Sequence, residues 1–382
     1  MRLLHTSDWH IGRRMRGRSR ADEQRAVLGE IVEIARTRDI DVAIVAGDIF
    51  DSGAPDPESE DIAYRALLDL SGVVGAVVAV AGNHDSAARF AAIQPLLRAA
   101  SVHCAPYPRP ASDGGILTLK PGNAEARFGL LPFVSQRAIV KVAQLLEESG
   151  ADFLRTYELR VKRILDDLAT GFDGGAVNVV VAHNAVVGAG PSGSERPAHI
   201  FDYYVQASTF PATANYVALG HFHGCLQVPG PGLLWYSGSP LQLDFGEAEQ
   251  QKYVLVIEAE PGLPAVVEKV SLTQGRKLRN IRATEQEILF EGLAYPDDWL
   301  RATVEGPRRA GMADELRAQL PNLVDIRLAE IETGPERPAA PSTDRPPEQL
   351  FAHYLGERNA VDERVITLFR ELLEEAGAPE TA

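Results

Sequence analysis

The sequence predicts an α/β fold, in which strands and helices alternate over the first hundred residues. Short apolar, β-branched runs such as VAIVAG at 42–47 and AVVAVAG at 76–82 are typical of buried parallel strands. The stretches between and after them carry helical stripes. Helices are expected around Val27, Ile31 and Ile34, then over 58–72 and 86–100.

The pattern beyond residue 100 predicts more than one domain. A helical stretch is expected from about 136 to 170, and the sheet resumes at AVNVVVAHN. After residue 223, the runs LLWYSGS, KYVLVIEAE and AVVEKVSL predict consecutive strands of a second sheet. These signals divide the chain into a first domain at 1–274, a small strand-helix-strand domain at 275–333, a Pro-rich linker at 334–348 and amphipathic helices at 349–382.

Composition indicates an ordinary globular chain with a large core. The 382 residues are 45% hydrophobic and 24% charged, which allows two or three domains. Cys104 and Cys225 lack C-x-x-C spacing, which argues against a disulfide framework or a structural zinc site. A secretory h-region and an apolar run of roughly 18 residues are both missing, so we expect a cytoplasmic protein without a membrane span. The net charge of −15 means that any nucleic-acid affinity must be local.

Five polar stretches follow apolar runs, so they should lie where strands end. They are D-x-H at 8–10, G-D at 47–48, G-N-H-D at 82–85, a histidine at 183, and G-H-x-H at 220–223. Ligands bind open α/β sheets beyond the carboxyl ends of the strands, so these stretches should converge on one cleft. Turn chemistry alone explains a single Asp or Asn at such a position but not a matched set with several histidines.

The residue types in these stretches suit a pair of divalent cations. Such a pair needs a bridging carboxylate, for which we choose Asp48, with imidazoles, carboxylates and amide oxygens around it. A sulfur-free set favours manganese or iron over structural zinc. Bound cations of this kind activate water and polarise phosphoryl oxygens. The set therefore predicts a two-metal phosphoesterase.

The motifs LHTSDWHIG, GDIFDSG, AGNHDS, ALGHFH and YSGSPLQLDF resemble those of the calcineurin-like metallophosphoesterases, and more closely their SbcD nuclease branch. The resemblance runs over most of the chain. It implies a four-layer α/β/β/α sandwich with a small α+β capping domain that helps to hold DNA, followed by a C-terminal helical tail. It also implies two metal ligand sets that share one carboxylate: Asp8, His10, Asp48 and His223 for one cation, and Asp48, Asn83, His183 and His221 for the other.

The resemblance assigns His84 to the scissile phosphate, where it protonates the leaving oxygen or stabilises the transition state. The alternative is a structural prop beside the ligands. Asp85 is expected to hold a loop or to orient His84, and His5 to be a buried histidine on the opposite strand face from Asp8. Some relatives have a histidine after the G-D motif where this chain has Asp51.

A run of arginines follows the first motif and is the best candidate for binding substrate phosphates, since guanidinium pairs bidentately with phosphate. The run consists of Arg13, Arg14, Arg16, Arg18 and Arg20. The alternative is a solvated basic turn.

The resemblance implies a manganese-dependent nuclease that trims double-stranded DNA from 3′ ends and cuts single-stranded or hairpin DNA, in double-strand break repair. It implies an SbcC-type ATPase as partner, bound by the C-terminal helices, whose alternative is to fold back on their own domain. Their apolar stripe is Val365, Leu368, Phe369 and Leu372. A homodimer is expected through Ile62, Leu67, Phe90, Ile93 and Leu97, although buried core faces give the same pattern. Two other functions stay open: a small-molecule or nucleotide phosphodiesterase, and a non-catalytic clamp in which the metals are structural.

Overall fold

The computed structural model describes residues 1–121, 124–134, 150–187, 204–307 and 309–329, together with 351, 355 and 364–369. Residues 1–329 form one compact unit and residues 330–382 a second one. The linker expected at 334–348 and Leu372 lie outside the described residues. The division of the first unit at residue 274 stays a prediction.

The first sheet has six strands: β1 (Arg2–Thr6), β2 (Val42–Val45), β3 (Ala76–Val80), β4 (Val102–Ala105), β13 (Tyr253–Glu258) and β14 (Val266–Ser271). Their order across the sheet is β14-β13-β1-β2-β3-β4. The first four strands run parallel, and β13 pairs antiparallel with β1 through Leu3 and Ile257. Two runs expected in a second sheet, KYVLVIEAE and AVVEKVSL, therefore complete the first sheet. That prediction was wrong because strand pairing is set by the ladder at the sheet edge and not by order along the chain.

The second sheet also has six strands: β5 (Ile116–Leu119), β6 (Ala126–Leu131), β7 (Val177–His183), β10 (Tyr216–Gly220), β11 (Leu226–Val228) and β12 (Leu234–Tyr236). Their order is β11-β12-β10-β7-β6-β5, with β6, β7, β10 and β12 parallel. A separate two-stranded sheet pairs β8 (Ala185–Val186) with β9 (Tyr204–Val205).

Helices cover the outer faces of both sheets. On the first sheet these are α1 (Ala21–Thr37), α2 (Pro57–Ser71) and α3 (Ala87–Ala99), and on the second α4 (Gly150–Ala169). Residues of β1 to β3 alternate between the two sides: Val45 packs under the helices, and Ile44 packs between the sheets against Val179. The described residues thus form four layers, as the resemblance implied. The start of the helix expected at 136, with Leu145 and Leu146, lies outside the described residues.

A small third sheet follows. Its elements are β15 (Leu278–Thr284), α5 (Glu285–Leu293), β16 (Trp299–Glu305), α6 (Met312–Gln319) and β17 (Leu323–Leu328), and its strand order is β15-β16-β17. Ile288 of α5 and Leu316 of α6 are buried against Leu300 of β16. The strand-helix-strand expectation is confirmed, with one further strand and helix before it.

The helices α2 and α3 bury most of the side chains expected to join two protomers. Ile62, Leu67, Phe90 and Leu97 lie in the core beneath these helices, and Ile93 packs partly against it. The alternative of a buried core face therefore holds for Ile62, Leu67, Phe90 and Leu97, whose side chains cannot reach a second copy, and a dimer contact stays a prediction for Ile93. Large apolar side chains that the same helices do expose are Leu68 and Leu96.

In the second unit, residues 364–369 are helical, and the rings of Phe351 and Phe369 stack with centroids 4.0 Å apart. Val365 and Leu368 are exposed. Among the described residues of the whole chain, no helix combines the length and apolarity needed to cross a bilayer.

Candidate metal centre

The five polar stretches lie at the carboxyl ends of β1, β2, β3, β7 and β10, as their positions in the sequence predicted. Asp8, Asp48 and Asn83 follow three neighbouring parallel strands of the first sheet. His183 ends β7 and His221 follows β10, which are neighbours in the second sheet. The two sheets pack face to face, so the two groups of strand ends meet in one cleft.

Asp48 lies at the centre of this group. Its Oδ2 is 3.6 Å from Nε2 of His10 and 3.5 Å from Nε2 of His183, while its Oδ1 accepts a hydrogen bond from the backbone N–H of His84 at 2.8 Å. One carboxylate thus faces both histidine groups. This placement is what a bridging ligand requires.

The first expected ligand set gathers around His10. Asp8, His10 and His223 offer ligand atoms that all lie within 4.8 Å of one another, and the same is true of His10, Asp48 and His84. The rings of His10 and His223 have their centroids 5.0 Å apart. Asp8 is held by the backbone N–H of His221 at 3.0 Å.

The second expected set gathers around Asn83. Its Oδ1 lies 2.9 Å from Nε2 of His183 and 2.9 Å from Nδ1 of His221. Nδ1 of His183 donates to the carbonyl of Ala46 at 2.8 Å, which fixes the tautomer and turns Nε2 toward Asp48. The structure thus brings together all seven side chains of the expected ligand sets.

The chemistry of this donor set fits divalent cations. Both ring nitrogens of His10 are buried without a hydrogen-bond partner of good geometry, an arrangement that is costly unless a ligand completes it. Burial would raise the pKa of Asp48, but His183 lowers it well below its usual range, so the carboxylate is ionised. Burial lowers the pKa of His221 to about 3, which keeps its ring neutral, as a metal ligand must be. Burial would lower the pKa of His183 as well, but the Asp48 carboxylate raises it to about 9, so a cation bound there would have to displace a proton from His183.

The backbone is strained at four of these ligands. Asp8, His10, Asp48 and His221 have φ values of 52°, 45°, 51° and 114°, in the left-handed region that favours glycine. Gly47, beside Asp48, has φ +91°, and a Cβ there would collide with Nδ1 of His183. The glycine in the G-D motif is therefore needed for space as well as for the turn.

His84 and Asp85 differ in role although they are adjacent. The half-buried ring of His84 stands beside His10, with centroids 4.8 Å apart, and its Nδ1 bonds the carbonyl of Asp51 at 2.9 Å. Asp85 accepts hydrogen bonds from the backbone N–H groups of Ile49, Phe50 and Gly82. The expectation that Asp85 holds a loop is confirmed.

His5 is also placed as expected. It is fully buried, and its Nδ1 pairs with the hydroxyl of Tyr216 at 2.9 Å.

The arginine run divides into different environments. Arg13 lies 3.3 Å from the Asp51 carboxylate, at the edge of the site, whereas the exposed Arg16 pairs with Asp325 of β17 at 2.9 Å. The exposed Arg14 and Arg18 stay candidates for phosphate contact.

The expectation for Arg20 was wrong. Its side chain is buried and donates to Glu23 and to the carbonyl of Gln242, so it cannot reach a substrate. Charge alone did not separate it from its neighbours in the run.

Sequence reasoning missed two acidic groups behind the expected ligands. Asp51 Oδ1 lies 3.3 Å from Nδ1 of His10, and Glu247 Oε1 lies 3.1 Å from Nδ1 of His223. The available signal for the first was its place in the GDIFDSG motif, three residues after Asp48. The second, 24 residues beyond its histidine, had no signal in the sequence.

Comparison with known proteins agrees with this geometry. The family model described as calcineurin-like phosphoesterase matches residues 1–225, which contain all of the expected ligands. The chain therefore belongs to the calcineurin-like phosphoesterases.

Curated relatives narrow the class. The SbcD subunit of nuclease SbcCD from Bacillus subtilis is 30% identical over 97% of this chain and 97% of that protein. The protein of the same name from Rhodobacter capsulatus is 33% identical over 92% and 94%, and that from Escherichia coli K12 is 32% identical over 71% and 68%. Within its family the chain belongs to the SbcD branch.

Proposed function

We propose that the chain is the nuclease subunit of an SbcCD-type complex and hydrolyses DNA phosphodiesters with two divalent cations, most suitably Mn²⁺. The observation that carries this proposal is the convergence of six other ligand-type side chains around Asp48. The relatives' names, which are those of a nuclease subunit, support DNA as the substrate.

The proposed roles follow the two groups around Asp48. Asp8, His10, Asp48 and His223 would hold one cation, and Asp48, Asn83, His183 and His221 the other. Cations bound there supply Lewis-acid activation of water and of the phosphoryl group.

The protein's own groups complete the site. His84 is half-buried and donates from Nδ1 to the carbonyl of Asp51, so its imidazolium form would give the Nε2 proton to the departing oxygen and become a neutral ring. Arg13, at the edge of the site, orients a neighbouring phosphate. In this proposal the chain degrades double-stranded DNA from 3′ ends and cuts hairpin or single-stranded DNA.

Two partners complete the proposal. An SbcC-type ATPase would bind the exposed face of the C-terminal helices that includes Val365 and Leu368. A second copy of the chain would pair through the outer faces of α2 and α3, where Leu68 and Leu96 are exposed.

The test is cleavage of end-labelled linear and hairpin DNA with Mn²⁺ or Mg²⁺, with and without the cognate ATPase. His84→Ser should abolish cleavage and keep both Mn²⁺ binding and DNA binding, because His84 is outside the ligand sets. Hydrolysis of a chromogenic phosphodiester with no cleavage of hairpin DNA would instead support a small-molecule phosphodiesterase. Unchanged cleavage in the variant would rule out His84 as the proton donor.

A further inference from the structure

A buried pair of opposite charges lies directly behind His223. Glu247 Oε1 is 3.1 Å from Nδ1 of His223, and Glu247 Oε2 accepts from Nζ of Lys252 at 2.6 Å. The Glu247 side chain is 0% exposed and that of Lys252 is 7% exposed. The two charges therefore sit in the interior of the domain.

Lys252 is held in place by more than this one contact. Its Nζ also donates to the carbonyl of His223, to Oγ of Ser239 and to Oε1 of Gln250, at 3.0, 3.0 and 3.1 Å. The second oxygen of Glu247 accepts from the backbone N–H of Leu243 at 3.1 Å. The ammonium group thus bonds both the carboxylate and the backbone of the histidine that the carboxylate faces.

Such a pair is an expensive way to stabilise a fold. Removing two charges from water costs free energy that their attraction barely offsets, and well-packed apolar residues would serve stability equally well. A role at His223 explains the cost. A carboxylate on one ring nitrogen of a metal-binding histidine fixes the tautomer, orients the ring and increases the basicity of the other nitrogen.

We propose that Glu247 is a positioning residue for His223, holding Nδ1 so that Nε2 faces Asp8 and His10, and that Lys252 offsets the buried charge of this carboxylate. This inference rests on the proposed function, because it assumes that His223 binds a cation. It extends the candidate site to a segment that the sequence motifs do not mark, the polar stretch GEAEQQK at 246–252.

The test uses Mn²⁺ alone, titrated into the full chain and followed by calorimetry and by the electron paramagnetic resonance signal of unbound Mn²⁺. Glu247→Gln keeps an oxygen for Nδ1–H but removes the charge. We expect it to lower the affinity for one of the two Mn²⁺ ions by about 10-fold to 100-fold and to leave the affinity for the other nearly unchanged. Lys252→Met keeps the carboxylate on His223, so both ions should bind with near wild-type affinity.

A double variant separates positioning from stability. Glu247→Gln with Lys252→Met removes both charges of the buried pair, so its thermal midpoint should exceed that of either single variant. The double variant should still bind one of its two Mn²⁺ ions more weakly than wild type does. If Glu247→Gln alone does not fold, Mn²⁺ binding by the double variant tests the positioning role in its place. Glu23→Gln, which removes a carboxylate outside the ligand sets, should lower the midpoint and leave Mn²⁺ binding unchanged.

The outcomes are distinct. Wild-type affinity for both ions in the double variant would overturn the positioning role and leave the proposed metal centre intact. A wild-type chain that binds no Mn²⁺ would overturn the metal centre itself, and the positioning role with it.

Discussion

The indole N–H of Trp299 donates to Oε1 of Glu23 at 2.8 Å, although the two residues are 276 positions apart. Glu23 belongs to α1, which covers the first sheet, and Trp299 begins the central strand of the small third sheet. The same carboxylate accepts from the guanidinium of Arg20 and from the backbone N–H of Arg276, whose guanidinium stacks 3.9 Å above the indole. One acidic side chain thus joins the small sheet to the helix that follows the arginine run.

Replacing this carboxylate should destabilise the protein. Glu23→Gln leaves the buried guanidinium of Arg20 without its charge partner, and we expect a loss of about 2 to 3 kcal/mol in unfolding free energy at pH 7. Burial would raise the pKa of Glu23, but Arg20 lowers it below its usual value. The contribution of Glu23 to the unfolding free energy is therefore complete above the pKa that it has in the unfolded chain. It is lost as the pH falls through the lower pKa of the folded protein.

Urea unfolding of both proteins at pH 7 and at acidic pH measures this difference. Glu58→Gln is the matched control, since Glu58 pairs with Arg25 on the surface and such pairs contribute about 0 to 1 kcal/mol. A difference between wild type and Glu23→Gln that grew as the pH fell would contradict the assigned sign.

His5 should make the protein sensitive to mild acid. Burial lowers its pKa to about 3, against 6.5 as the reference value, so between these values the unfolded chain binds a proton that the folded one does not. Stability therefore rises with pH across this interval. Lowering the pH from 6.5 to 4.5 should therefore reduce the unfolding free energy by about 2 to 3 kcal/mol.

The measurement is the unfolding free energy of wild type and His5→Gln over this range. Glutamine keeps an oxygen for the hydroxyl of Tyr216 but does not titrate. We expect the variant to be less stable at pH 7 and to have a flatter pH profile. Parallel profiles would show that His5 is not the group responsible.

The sequence was sufficient for the parts of the fold that depend on local pattern. Asp48 and Asn83 could be placed in one cleft because their strands are apolar and the carboxyl ends of parallel strands share an edge. The pairing of β13 with β1 was out of reach, since those runs are equally apolar in either sheet.

The same limit applies within the site. Arg13 and Arg20 belong to one basic run, yet one lies beside Asp51 and the other is buried against Glu23. Glu247 has the sequence context of an ordinary surface glutamate until the fold brings His223 to it. Contacts between distant segments decide these cases, and a motif search does not reach them.

Gly47 offers a test of the space around Asp48. In Gly47→Ala the new methyl group would overlap His183 and the residue would keep φ +91°, so we expect a loss on the order of 3 kcal/mol or more and weaker Mn²⁺ binding. Gly17→Ala is the matched control: Gly17 has φ +83°, but a methyl group added there would meet no atom within 4 Å. It should lose about 1 kcal/mol and bind Mn²⁺ as wild type does.

Thermal unfolding and Mn²⁺ titration of the two variants give both readouts. Equal losses of stability in the two variants would mean that the positive φ alone explains the need for glycine at position 47. Unchanged Mn²⁺ affinity in Gly47→Ala would mean that His183 does not bind the cation.

Asp51 should affect metal binding through His10 and not through His84. Its carboxylate faces Nδ1 of His10, whereas His84 contacts only its backbone carbonyl, which any residue provides. We therefore expect Asp51→Asn to lower the affinity for one Mn²⁺ ion by about 10-fold. The kcat of DNA cleavage should return toward the wild-type value when Mn²⁺ is raised to saturation. Asp56→Asn is the control, because Asp56 caps α2 through the backbone N–H of Ser59, away from the ligands. A kcat that stayed low at saturating Mn²⁺ would mean that the Asp51 carboxylate acts on the chemical step as well, through Arg13, which it also contacts.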